Sequence, residues 1–170
     1  MFVLGIDPGL TRCGFGLVEG RLDGVEAFRA VRAGVVETDP VVEVEKRLGQ
    51  LLVELRDLLA ETKPDAVVVE RVFYQRNAKT AIPVAQASGV AVALAGSLDL
   101  PVRQFTAQQV KLAVTGYGAA SKAQVQGMVA RICGLSEIPQ PADAADALAL
   151  AITYFMVERM ESRYPEASVS

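Results

Sequence analysis

The apolar positions fall into runs whose period changes along the chain, and each period predicts a different element. Phe2 to Asp7 is apolar almost throughout and reads as a buried strand, closed by a Pro8-Gly9 turn in which glycine is free to take positive φ. Cys13 to Glu19 alternates about two glycines, Gly20 to Gly24 is turn-like, and Val25 to Glu37 reads as a third strand, so the chain opens as an antiparallel meander. From Val44 the period lengthens. Val44, Leu48, Leu51, Leu52, Leu55, Leu58 and Leu59 line one face of a helix that Lys63-Pro64 ends. Asp65 to Glu70 holds the β-branched run of a strand buried on both faces, reached from the meander by a βαβ crossover.

A polar loop, Arg71 to Lys79, leads into an apolar helix from about Thr80 to Ser97, and Pro101 to Phe105 is a short fifth strand. Thr106 and Ser121 are each followed three residues on by glutamine, the capping-box spacing, which predicts helices over 107–115 and 122–133 joined by Gly116-Tyr117-Gly118. A last helix starts near Pro141 and runs to about Met160. This β-β-β-α-β-α-β-α-α-α pattern predicts an α/β layered fold whose five-stranded mixed sheet has its first three strands antiparallel. One domain over 1–157 is expected, with 158–170 a frayed tail.

Composition narrows the chemistry. With no histidine and no tryptophan among 170 residues, the usual general base, the Ser-His-Asp and Cys-His pairs and the commonest zinc ligand are all removed. Cys13 and Cys133 lie too far apart in sequence for a metal-ligand motif and read as reduced, buried thiols. The N-terminus lacks a signal-peptide pattern and the longest apolar stretches are broken by Pro83, Gly89 and Asp146, so a cytoplasmic protein without a membrane span is expected. The net charge of −3 hides an asymmetry: residues 71–136 hold seven basic residues and only Asp99 as an acid.

Four carboxylates then stand out. Asp7 and Glu70 each end an apolar strand, where the bland readings are a turn aspartate and a solvated strand end. Asp143 and Asp146 share one face of an Ala/Leu-rich helix, and a helix-dipole effect accounts for one of them but less well for Asp146 inside an apolar face. If the two strands are adjacent and the last helix crosses them, the four converge and require divalent cations to offset their repulsion. Oxygen-only ligands favour Mg²⁺ or Mn²⁺ over zinc, and two such ions serve in-line phosphodiester hydrolysis.

The basic island of Arg71, Arg76, Lys79, Arg103, Lys111, Lys122 and Arg131 is either a solvated surface or a set of phosphate contacts. Phe73 sits in the polar loop beside Glu70, where an aromatic can stack on an unpaired base; Tyr74 stacks likewise or simply packs. The apolar 80–97 helix needs either a core or a second burial surface.

Taken together, Gly5-Ile6-Asp7-Pro8-Gly9, Val69-Glu70 with Phe73, Val110-Lys111 with Gly116-Tyr117-Gly118, Ser121 to Gln126, and Ala142 to Ala149 closely resemble the RuvC family of bacterial Holliday-junction resolvases over about residues 2–157. The resemblance implies a ribonuclease-H-like three-layer α/β/α fold and a homodimer that makes paired Mg²⁺-dependent nicks across four-way DNA junctions in recombination and repair. RuvA and RuvB are its implied partners. It assigns Asp7, Glu70, Asp143 and Asp146 as catalytic metal ligands, Lys111 and Lys122 as cations near the scissile phosphate, Phe73 as an aromatic wedge, and Tyr74, Arg76 and Lys79 as further DNA contacts. Some family members carry histidine where this chain has Asp143, so an all-carboxylate site is expected here. Three alternatives stand beside this: a related nuclease that processes RNA, an actin-like ATPase module, which one domain is too short to form, and a DNA-binding scaffold with a dead site, which the presence of all four acids disfavours.

Overall fold

The computed structural model describes residues 1–23, 27–72 and 78–164. Five strands and five helices are described: β1 (Phe2–Asp7), β2 (Arg12–Glu19), β3 (Arg29–Glu37), α1 (Val44–Thr62), β4 (Ala66–Glu70), α2 (Ala78–Ser97), β5 (Val102–Phe105), α3 (Ala107–Thr115), α4 (Lys122–Ile132) and α5 (Ala142–Arg163). The sheet order is β3-β2-β1-β4-β5. β1 pairs antiparallel with β2 and parallel with β4, so the strands that end in Asp7 and Glu70 are neighbours at the centre of the sheet.

Alternation along each strand divides the core in two. Leu4, Ile6, Val67 and Val69 face a layer formed by α1 and α2. Val3, Val18, Ala66 and Val68 face α5, with α3 and α4 packed beyond it. This is the expected three-layer α/β/α arrangement. Among the described residues no helix is long and apolar enough to cross a membrane.

The position of α5 is set by glycine. Gly5 and Gly16 are cross-strand partners, Gly14 pairs with Asp7, and all three lie under α5. A Cβ on Gly5 would stand 2.0 Å from the Ala147 carbonyl oxygen, one on Gly14 2.2 Å from that of Asp143, and one on Gly16 2.6 Å from the Leu148 amide nitrogen. The helix therefore rests on bare sheet backbone. Apart from Asp146, every residue from Ala144 to Phe155 is buried, which is why the sequence there is apolar almost throughout.

Several local expectations differ from the structure. Gly9 is not among the glycines at positive φ; it is needed because a Cβ there would meet the Arg12 carbonyl oxygen at 2.2 Å. β3 begins at Arg29, with Ala27 and Phe28 outside the strand and Val25 outside the described residues, and Phe28 is stacked on Phe155 with ring centroids 5.1 Å apart. Residues 158–163, expected to belong to a frayed tail, are helical, because α5 continues to Arg163; 165–170 lie outside the described residues. Arg103 ties the helical extension to β5 through Glu158 at 2.7 Å and Glu161 at 3.0 Å. Both capping boxes are present, and both cysteines are free, Cys13 buried and Cys133 only partly so.

Candidate active site

Strand parity delivers the first two acids. Asp7 continues the row of Val3 and Gly5, and Glu70 that of Ala66 and Val68, so both project to the α5 side past the last registered pair of β1 and β4, Ile6 with Val69. Asp7 and Glu70 share a side-chain hydrogen bond. Burial, reinforced by the negative charges of Glu70, Asp146 and Asp143, pushes the Asp7 carboxyl up to about 8. Glu70 is also raised, first by burial, although its bond to Asp7 and the charge of Lys122 act against this.

The glycine contacts bring the other two. Asp143 and Asp146 lie in the opening turns of α5, where Arg12 Nε donates to Asp143 Oδ2 at 2.9 Å and Lys122 Nζ lies 2.5 Å from Asp146 Oδ2. The hydrogen bond to Asp146 holds the Lys122 ammonium above its ordinary range, against its own partial burial, which acts to lower it. The charge that looked misplaced in an apolar helix thus sits at the rim, half-buried and paired. Asp7, Glu70, Asp146, Lys111 and Lys122 line one cavity of about 240 Å³, floored by apolar residues of α3, α4 and α5. Asp143 does not line it but is within electrostatic reach of Asp7 and Lys122.

The donor set suits a hard divalent cation: oxygen ligands only, and acids whose crowding holds a proton on Asp7 in a cation's place. Among the described residues no three acidic or sulfur side chains already enclose a single point as ligands.

The remaining expectations divide. Lys111 and Lys122 meet at the cavity from α3 and α4. Phe73, Tyr74 and Arg76 lie outside the described residues, and of Lys79 only the backbone, in the first turn of α2, is described. Arg103 does not join the site, being held by Glu158 and Glu161. Sequence reasoning missed Arg12. Its signal was the alternation Arg12, Gly14, Gly16, which places Arg12 on the α5 side of β2.

A sequence model for crossover junction endodeoxyribonuclease RuvC matches residues 3–154. The crossover junction endodeoxyribonuclease RuvC of Frankia alni is 51% identical over the whole of this chain and 87% of its own length. That of Syntrophomonas wolfei is 49% identical over 95% of this chain and 92% of its own. The structure of Thermus thermophilus RuvC in complex with a Holliday junction substrate superposes with a TM-score of 0.88 at 37% identity, covering 95% of this chain and 97% of that one. The yeast mitochondrial Holliday junction resolvase Ydc2, 14% identical with a TM-score of 0.67 over 95% of this chain and 82% of its own, shares the fold. These matches favour neither the RNA-processing nor the ATPase alternative, and they join a central Asp7/Glu70 pair and an α5 laid on sheet glycines to one conclusion: the chain belongs to the RuvC family of crossover junction endodeoxyribonucleases.

Proposed function

We propose that this chain nicks four-way DNA junctions symmetrically as a homodimer, with Asp7, Glu70, Asp143 and Asp146 as its catalytic metal ligands. The observation that carries the reading is the convergence of three of these acids and two lysines on one cavity, with Asp143 in electrostatic reach of Asp7. Two Mg²⁺ ions, with Mn²⁺ as substitute, would be held by the four carboxylates and supply Lewis acidity for hydrolysis of the phosphodiester.

The chain's own groups account for the rest. Asp7 and Glu70, held at the ends of rigid central strands, keep their oxygens in fixed register, and burial excludes bulk water from behind them. Lys111 and Lys122 place positive charge where negative charge develops on the phosphate, at positions fixed by the capped helices α3 and α4. Phe73, Tyr74, Arg76 and Lys79 follow Glu70 directly in sequence and are the remaining DNA contacts, with Phe73 stacking at the junction centre.

The dimer face is on α2. Ala87, Ala91 and Ala95 pack on the sheet side, while Ile82, Ala85, Gly89, Ala93 and Gly96 leave an exposed stripe of mostly small residues on the other. A two-fold interface there gives two sites for two symmetric nicks. RuvA and RuvB complete the assembly, and the cytoplasm, where chromosomal DNA is repaired, is its place of action.

Incubating the protein with synthetic four-way junctions, linear duplex and RNA–DNA hybrid, with and without Mg²⁺, tests the reading. Paired nicks in the junction alone, dependent on the ion, are expected. Equal cutting of hybrid, or unpaired nicks, would overturn it.

A further inference from the structure

Arg12 is the first residue of β2 and shares the α5 side with Gly14 and Gly16. The two glycines carry no side chain, so Arg12 is the first on that row able to reach the helix, and it meets α5 in its opening turn. Its Nε donates to Asp143 Oδ2 at 2.9 Å. The register of β2 with β3 places Arg12 opposite Glu37, and Arg12 Nη1 donates to Glu37 Oε1. The guanidinium is thus anchored on the sheet by one branch and fixes an aspartate of α5 with another.

Among the described residues no other side chain is hydrogen-bonded to Asp143; Lys122 pairs with Asp146 instead. The N-cap of α5 is Pro141, which makes no side-chain capping bond. Asp143 is partly exposed, and an aspartate without a partner samples several rotamers. We propose that Arg12 is a positioning residue of the cation site: it holds one oxygen of Asp143 so that the other is presented to the ion. The proposal rests on the carboxylate reading above. Arg12 lies outside the lining of the cavity and acts through Asp143. Its charge, which would by itself repel a cation, is offset by Glu37 across the strands.

A partner that orients a metal ligand is worth about 10–100-fold in metal affinity. Mn²⁺ binding, measured by calorimetry without DNA, and the Mn²⁺ dependence of junction cleavage should be compared for the full chain and for Arg12→Ala, Arg12→Lys and Glu37→Gln. Arg12→Ala should weaken Mn²⁺ binding about tenfold or more and raise the half-saturating Mn²⁺ by the same factor, with the rate at saturating Mn²⁺ nearly restored. Arg12→Lys should fall between, because a compact ammonium lacks the fork that joins both acids. Glu37→Gln should shift binding in the same direction by less. If Arg12→Ala bound Mn²⁺ as tightly as the parent, or more tightly, the positioning role would be wrong while the carboxylate site stood. If the parent bound no Mn²⁺, or Asp146→Asn bound it equally well, the carboxylate reading itself would fall. Should Arg12→Ala not fold, the Lys and Gln variants carry the same test.

Discussion

Adding one methyl group at Gly14 should damage the site without touching a carboxylate. A Cβ at this position would lie 2.2 Å from the Asp143 carbonyl oxygen, 2.7 Å from its carbonyl carbon and 3.1 Å from its Cβ. The first two distances are shorter than any relaxed contact, and two of the three atoms belong to backbone, so no side-chain rotation relieves them. The first turn of α5 must lift by about 1 Å, and overpacking of this kind costs about 1–3 kcal/mol. For a chain of this length each kcal/mol lowers the melting temperature by about 2–4 °C.

The effect on activity should be larger than the effect on stability. Asp143 moves with its own backbone, away from Asp7, the cross-strand partner of Gly14. A misplacement of about 1 Å costs on the order of 100-fold in rate where catalytic groups must be held in register. Single-turnover cleavage of a synthetic junction, measured beside the melting temperature, tests this, with Gly49→Ala as the control. Gly49 lies inside α1 with open space around its missing Cβ, so alanine there should stabilise by about 0.5–1 kcal/mol and leave cleavage unchanged. Parental cleavage by a folded Gly14→Ala protein would refute the claim that helix-to-backbone contact sets the site.

Asp7→Asn should abolish cleavage yet retain junction binding in a gel-shift assay, since it removes a ligand without removing the cations that meet phosphate; loss of both would make Asp7 structural. Because Asp7 is raised to about 8 when folded, the folded protein keeps a proton that the unfolded chain releases near pH 4. Without divalent metal its stability should therefore fall as pH rises from about 4 to 8, by a few kcal/mol, and Mg²⁺ should remove most of that slope in thermal melts. A flat metal-free profile would mean that the acids are not crowded. Arg103→Ala should lower the melting temperature by only about 2–4 °C, since its ion pairs are partly solvated, and should leave junction cleavage at the parental rate. A large rate loss would return Arg103 to the DNA surface.

What could be read from the sequence was what depends on near neighbours or on strand parity. The two capping boxes are three-residue patterns, and Asp7 and Glu70 end their strands in step with the residues that face α5, so both were legible before the sheet order was known. Segment charge was a poorer guide. Arg103 belongs by sequence to a basic island, but its partners Glu158 and Glu161 lie 55 and 58 residues away, outside that segment. Arg12 escaped notice for a similar reason. Its meaning depends on the register that sets it opposite Glu37 and on the path of α5 131 residues later.

The glycines join these cases. Gly5, Gly14 and Gly16 could be read locally only as tolerances within strands, because the atoms that exclude a side chain there belong to α5. Placing helix backbone on sheet backbone removes the compliance that interlocking side chains would provide, so the two aspartates inherit the rigidity of β1 and β2. That rigidity ends at the backbone. The carboxylates themselves still rotate, which explains why a guanidinium and an ammonium, one on each aspartate, complete the arrangement that glycine begins.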